Sequence, residues 1–528
     1  MKGGSMRGFR QNAILTFLAI VAGTSTLVLA RTLIVDDDGP AEFQSIQSAI
    51  DAAVPGDIVS VAAGTYRENI QVQSGVEVIG AGSGLSIING RRRGSVAVLS
   101  ECDSSTRLEG FTLTGGEAET GAGVLVVGGS PIITLCHITG NSAVSQTAYF
   151  YSTGGGMTLY YSSASAQDND IDGNDADFGG GVEIAGGEPV LSHNQIRGNT
   201  ALLGGGVDLY MATGGSPRVH SNTITDNEAE SGAGIEAAGP GAPIISNNRI
   251  TGNVALARGQ YSAYGGGIDV VYSNARVVNN TIAGNEAEFG GGIGVLAISE
   301  APDIASNILY GNTGVSDSGG IDLLGLNTTV PNNIFFLNSC GGPGGNPCSD
   351  DCGGFDALLC AEELTNLFED PLLVDPAAGD LRLRAGSPAI DSARAEVAPV
   401  DDLRGQRRPL DGDGDLLAAP DRGAYEYDRN DVLGLRFLTI ETLTWGAADG
   451  ASSYHIYNGR IATLMEDSLD VCRDSNDGNL SDLLFTETQM PEPGDGFAYA
   501  VTAIIDGAEQ SPGFDSLGIE RSLPQPCP

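Results

Sequence analysis

Gly179-Gly180-Gly181-Val182-Glu183-Ile184, followed by Asn194-Gln195-Ile196-Arg197-Gly198-Asn199, is the stretch that decides the fold. The alternation in Val182-Glu183-Ile184 has period two, which predicts a strand with Val182 and Ile184 facing inward and Glu183 outward. Both signatures return downstream. Gly204-Gly205-Gly206-Val207-Asp208-Leu209 is followed by Asn222 to Asn227, and Gly265-Gly266-Gly267-Ile268-Asp269-Val270 comes after Asn248 to Asn253. From about Gly121 to Asn338 the unit recurs eight times at spacings of 25 to 33 residues, which signals a solenoid.

The closing asparagine stands in every unit: Asn141, Asn174, Asn199, Asn227, Asn253, Asn285, Asn312 and Asn338. The opening one is missing only where Cys136 replaces it. Proline recurs at one offset before the second strand, at Pro131, Pro189, Pro217, Pro243 and Pro302. One unit is too small to bury its own apolar stripe, so neighbours must stack with strands about 4.8 Å apart. Stacking puts like residues above like. Ile and Val fill the interior, and asparagines form columns at the turns, where an amide bonds the coils above and below and tolerates a left-handed backbone.

This pattern resembles the pectin-lyase-type β-helix family with its asparagine ladders. The resemblance implies an all-β chain, a right-handed parallel β-helix solenoid over residues 31–370, followed by a small C-terminal β-sandwich. Phe43 to Ile50 reads as a short capping helix, and Ala53 to Asp57 with Gly64 to Ile70 is similar to the opening segment of such proteins. Residues 371–430 contain Gly386-Ser387-Pro388-Ala389-Ile390-Asp391, Asp402-Leu403-Arg404-Gly405 and Pro420-Asp421-Arg422-Gly423-Ala424-Tyr425-Glu426. They resemble a choice-of-anchor Q module and are expected to close the solenoid. Residues 433–528, with strands around Leu443-Thr444-Trp445, Ser453 to Tyr457 and Phe497 to Ala503, resemble a fibronectin type III-like sandwich anchored by Trp445.

Lys2, Arg7 and Arg10 precede an apolar run from Ala13 to a small-residue end at Val28-Leu29-Ala30, which predicts a signal peptide over residues 1–30 and a secreted or cell-surface protein. The rival reading, a retained anchor, is disfavoured by Gly23, Thr24, Ser25 and Thr26 within the run. No later segment is apolar enough to span a bilayer. With 67 acidic against 26 basic residues and a net charge of −41, nucleic acid and anionic membranes are poor partners on electrostatic grounds. The expected partner is an extracellular polysaccharide or a cell-surface component.

Eight cysteines in a translocated chain predict disulfides. Cys340, Cys348, Cys352 and Cys360 share one loop (339–361) and allow three pairings. Cys472 with Cys527 and Cys102 with Cys136 are the other expected pairs.

Three features could carry chemistry. The acid after the inward apolar residue recurs at Glu183, Asp208, Glu236 and Asp269, skips Gly294 and returns at Asp322. In register these carboxylates form a row on one outer face that weakly favours a cation, the plainer explanation being a solvated acidic face. Long insertions carry Tyr149 and Tyr151 in one unit and Tyr261 and Tyr264 four coils away, about 19 Å, which would frame a groove with aromatic faces for sugar rings. Packing of these loops against the solenoid is the structural alternative. Asp411-Gly412-Asp413-Gly414-Asp415, with Asp421, has alternating oxygens suited to calcium, although Leu416 and Arg422 depart from an EF-hand loop and an Asp-Gly surface turn is the plainer explanation.

The family resemblance also raises a polysaccharide lyase or a glycoside hydrolase. Lys2 is the only lysine, nothing marks Arg218, Arg249 or Arg276 as a base, and the G-H-G, R-I-K, Q-D-T-L and L-G-R-P-W elements of related enzymes are absent. His137, His193 and His220 vary in position, and Asp170, Asp172, Asp175 and Asp177 crowd one coil without a pairing that singles out an acid and a base. The leading expectation is a non-catalytic, carbohydrate-binding β-helix, with an enzyme or an adhesive spacer as alternatives.

Overall fold

The structure is a computed structural model. It describes residues 30–145, 151–212, 214–257, 262–325, 327–341, 350–354 and 356–428, and beyond these only strand segments between 436 and 509. The expected signal peptide, Tyr149, Tyr261, Trp445 and the Cys472–Cys527 pair lie outside the described residues or side chains.

Each coil contributes one strand to each of three parallel sheets, and each sheet has 11 strands. One coil shows the plan: Val182–Gly187 belongs to a front sheet, Val190–Ser192 to a flank sheet and Gln195–Arg197 to a back sheet. The pairing register is continuous. Val182 lies over Val207, Ile235 and Ile268, and Ile184 over Leu209, Ala237 and Val270. Those inward files are fully buried. Each buried Ile or Val of such a file contributes about 1.5–3 kcal/mol relative to exposure, so a slip by one residue, which would turn the whole file outward, is strongly disfavoured.

The asparagines form two unbroken ladders inside the corners. Asn199 is typical: its backbone N–H and its Nδ2 both donate to Asn227 Oδ1 at 3.0 Å, and Nδ2 also donates to Ile171 O at 2.9 Å. The second ladder starts where the Cys136 N–H donates to Asn169 Oδ1 at 3.0 Å. The left-handed backbone falls one residue earlier than expected, on the residue before each ladder asparagine, as at His193 (φ 56°), Ser221 (φ 56°) and Gly198 (φ 60°). That residue makes the bend, which leaves the asparagine side chain free to turn inward.

The N-terminal end is covered by a helix, Ile46–Ala52, starting three residues after the expected Phe43. Its first free N–H groups, Ile46 and Gln47, donate to the Glu68 carboxylate at 2.9 and 3.1 Å, which satisfies the helix end.

Two cysteine expectations are now decided. Cys352 and Cys360 are bridged and Cys340 is also disulfide-bonded, but Cys102 and Cys136 are free. Cys102 sits at the corner after the front strand Ala97–Ser100, whereas Cys136 sits at the corner between the flank strand Ile132–Thr134 and the back strand His137–Thr139. Different corners hold their sulfurs apart.

Residues 371–428 pack along the side of the solenoid, whereas the sequence suggested a cover over its end. Leu373, Leu381, Ile390 and Tyr425 bury against Ala283, Ile308 and Ile334. The bending residues of four successive coils bond this segment: Asn247 to the Asp401 carbonyl, Asn279 Nδ2 to Asp421 O (2.8 Å), the Arg394 N–H to Ser306 Oγ (3.0 Å) and Asn332 Nδ2 to Ser392 O (3.1 Å). Near the C-terminus, the described strands form two antiparallel sheets, one of three strands and one of four. Among the described residues no helix is long and apolar enough to cross a membrane.

Candidate functional site

The front sheet presents two outward files, because alternate residues of each strand face away from the core. The first file runs Thr158, Glu183, Asp208, Glu236, Asp269, Gly294, Asp322 in strict register. The acidic row exists, but it does not face solvent: Glu183 is 2% exposed, Asp208 4%, Glu236 3%, Asp269 4% and Asp322 3%. This overturns the expectation of a solvated row on the outer face.

The reason is the glycine run that opens each unit. Gly204 adopts φ 63°, and a Cβ there would sit 2.6 Å from Asp208 Cβ. Only a residue without a side chain can fold back this closely over the strand that follows it. Just before these glycines, Thr153, Phe178, Leu203 and Ser231 pair in parallel from coil to coil, as do Tyr264 and Phe289. The result is a narrow lid over the carboxylates, and from it Ser231 Oγ donates to Asp269 Oδ2 at 3.0 Å.

Closure changes the chemistry of the row. Burial pushes Glu183 well above the usual carboxylate range, and the adjacent Asp208 pushes it further. Glu236 is raised by burial and then by Asp269 and Asp208. Asp208 and Asp269 are raised mainly by burial, and Asp322 is pushed up to about 7, by burial first and by Asp317 and Asp269 next. Glu183 Oε2 and Glu236 Oε2 are buried with no hydrogen-bond partner. The arrangement is a stack of buried acids in which burial and the neighbouring carboxylates push each member toward its protonated form.

The second outward file, two residues along each strand, reads Tyr160, Ala185, Tyr210, Ala238, Val271. Here the rings meet solvent: Tyr160 is 45% exposed, Tyr210 54%, and the neighbouring Tyr161 and Tyr272 are 49% and 42% exposed. Tyr160 and Tyr161 meet edge to face at 4.6 Å. Only Ala185 stands between Tyr160 and Tyr210 in this file, so the two tyrosines lie two coils or roughly 10 Å apart with no bulky side chain between them. The sequence reading missed these four residues. The signal was present, since Tyr210 follows Asp208 by two and alternation places both on one face.

The insertion tyrosines belong to the lid. Tyr151 is 62% exposed with its ring 4.7 Å from Phe178, and the half-buried Tyr264 stacks on Phe289 at 5.0 Å. They stand four coils apart, as the repeat requires.

The Asp-Gly loop is split by the fold. Asp391, Asp411 and Asp413 bring oxygens within 4.8 Å of one another. Asp421 instead turns inward, accepts the Asp391 N–H at 2.8 Å and lies beside Glu426 and Arg408, so it is not part of the loop's oxygen set. The carboxylates of Asp391 and Asp411 already accept the N–H groups of Asp413, Ala419, Gly414 and Leu416, as turn-forming residues do, while Asp415 accepts from Leu417. The crowd of aspartates in the coil before Gly179 also separates. Asp170 and Asp172 pair with Arg197 and lie near His137, whereas Asp177 accepts the Ser152 N–H and hydroxyl.

A family model described as a right handed beta helix region matches residues 69–250. That region is a right-handed parallel β-helix. No curated protein matches the chain. Among solved structures the β-helix is similar to pectate lyase Pel9A, at 15% identity and TM-score 0.38, over 77% of this chain and 98% of that one. It is also similar to XylC in complex with xylose (11%, TM-score 0.36, 65% and 87% coverage) and to pectin methylesterase from carrot (12%, TM-score 0.27, 64% and 88%). Likeness at these identities concerns the fold alone.

Proposed function

We propose that this protein is a secreted or cell-surface β-helix that binds extracellular carbohydrate along its front sheet without cleaving it. The observation that carries this reading is the set of solvent-facing tyrosines Tyr160, Tyr161, Tyr210 and Tyr272 beside the lid that bears Tyr151. Tyrosine rings stack on the apolar faces of sugar rings and lose little side-chain freedom in doing so. A run of them along a rigid sheet suits an extended chain better than a compact ligand.

No comparable observation favours a lyase or a glycoside hydrolase. Glu183, Asp208, Glu236, Asp269 and Asp322 are sealed from any substrate on that face, while Arg218 and Arg276 lie on the flank and Arg249 on the back.

The test is binding of the purified protein to a panel of neutral and acidic polysaccharides, with and without calcium. Replacing Tyr160 and Tyr210 together by Ala is expected to weaken binding by about 10-fold or more, as loss of exposed aromatic anchors does. Unchanged binding would remove the front sheet as the site. New reducing ends or unsaturated products would overturn the non-catalytic reading.

A further inference from the structure

Where residues 396–410 lean over the flank sheet, they enclose a cleft of about 1080 Å³ that the front-sheet reading does not use. Its floor is the outer face of the flank strands. Arg218 and Arg276 stand in one file there, separated by Ile244, so their backbones are two coils or roughly 10 Å apart. Arg407 reaches the same cleft from the opposite wall.

These three arginines differ from several others among the described residues. Arg31 pairs with Asp57, Arg107 with Glu109, Arg197 with Asp170, Arg382 with Asp380 and Arg394 with Asp303. Among the described residues, Arg218, Arg276 and Arg407 have no ion-pair partner, in a chain with 67 acids against 26 bases. Four acids also line the cleft. Glu396 is taken by Arg394 and Asp402 by Arg404, and burial pushes Asp168 upward, toward its neutral form. Asp401 is left against three guanidinium groups. Burial holds His220 down to about 4, so at neutral pH it supplies a hydrogen-bonding ring without charge, beside Ser192 and Ser246 on the floor.

We propose that this cleft binds a compact organic dianion, with one acid group on Arg218 and the other on Arg276 and Arg407. Guanidinium forks match carboxylate and phosphate oxygens two at a time. Two arginine positions two coils apart, with Arg407 on the opposite wall, favour a molecule with two separated acid groups over a single small anion.

Isothermal titration of the full chain with fructose 1,6-bisphosphate, nonanedioate and inorganic phosphate tests this. The bisphosphate arm and the dicarboxylate arm separate the two acid chemistries. At least one of these two probes is expected to bind about 10-fold or more tightly than inorganic phosphate, with affinity falling as salt rises. Arg276→Gln is expected to reduce that probe to the level of inorganic phosphate, while Tyr160→Ala leaves it unchanged. Arg218→Gln provides the second variant, and because both side chains lie on an outer face the melting temperature should hold. Absence of binding by either two-acid probe, equal affinity for inorganic phosphate, or unchanged binding in both arginine variants would each overturn the proposal.

Discussion

Two buried polar files run along the same β-helix, and they solve the same problem unequally. In the closing ladder each asparagine both donates and accepts, so Asn174, Asn199 and Asn227 repeat one complete set of bonds from coil to coil. In the front file each carboxylate, once ionised, can only accept, and stacking acceptor on acceptor leaves Glu183 Oε2 and Glu236 Oε2 without partners. A file built from an amide can extend indefinitely at no electrostatic cost. A file of acids stays buried only if protons or cations supply what the side chains lack. The comparison teaches that register alone does not stabilise a column; the donor and acceptor inventory of the repeated residue decides whether repetition helps.

The sharpest break to apply is in the ladder. Asn199→Leu would strand the Asn174 N–H and Nδ2 and the Ile171 carbonyl inside the corner, at a cost on the order of 3–5 kcal/mol for three unsatisfied buried groups. Urea unfolding at pH 7 followed by circular dichroism measures it, and a midpoint shift as small as that of a surface change would refute the ladder's role. The lid comes next. Gly204→Ala places a Cβ against Asp208 at left-handed φ, for an expected loss of about 2–3 kcal/mol by the same measurement.

The acid file should respond with the opposite sign. Its folded-state pKa values are raised, so the folded protein holds protons that the unfolded chain releases. Stability is then fully present below the unfolded carboxylate range near 4 and is lost as pH rises through the folded values, about 7 for Asp322. The double variant Glu183→Gln, Glu236→Gln is expected to be more stable than the parent by about 1–2 kcal/mol at pH 8 and nearly equal to it at pH 4. Calorimetric melting across that range would show a flattened profile; destabilisation of equal size at both pH values would mean that the file is limited by packing and not by protons. The smallest effect is expected on the back sheet, where Arg197 pairs with Asp170 and Asp172 in the open. Arg197→Gln should cost no more than about 0.5 kcal/mol, which salt would abolish.

Much of the fold was legible because its information is local and repeated. The spacing of Asn199 to Asn227 and the alternation of Val182, Glu183 and Ile184 describe a coil without reference to any distant residue. The exposed pair Tyr160 and Tyr210 was legible in the same way, through an offset of two from the acid file. Other parts of the site were hidden. Nothing in Gly179-Gly180-Gly181 announces that the chain folds back over its own strand, so burial of Glu183 could not be inferred from a pattern that assigns it outward. Asp421 looked like a fourth carboxylate in an Asp-Gly run, yet the N–H groups of Asp391 and Tyr427 hold its carboxylate inside the flanking segment.

By itself, the sequence determined the all-β solenoid, the inward apolar files, the asparagine ladders and the presence of an acidic file, because each follows from one period applied to identical neighbours. Only the tertiary structure decided that the acids are sealed, that residues 371–428 run along the flank, and that Arg218, Arg276 and Arg407 meet over one cleft. Those outcomes join residues more than a hundred positions apart or depend on which backbone lies above a strand. A repeat fixes the relation of one coil to the next, but it carries no information about what is laid across the stack.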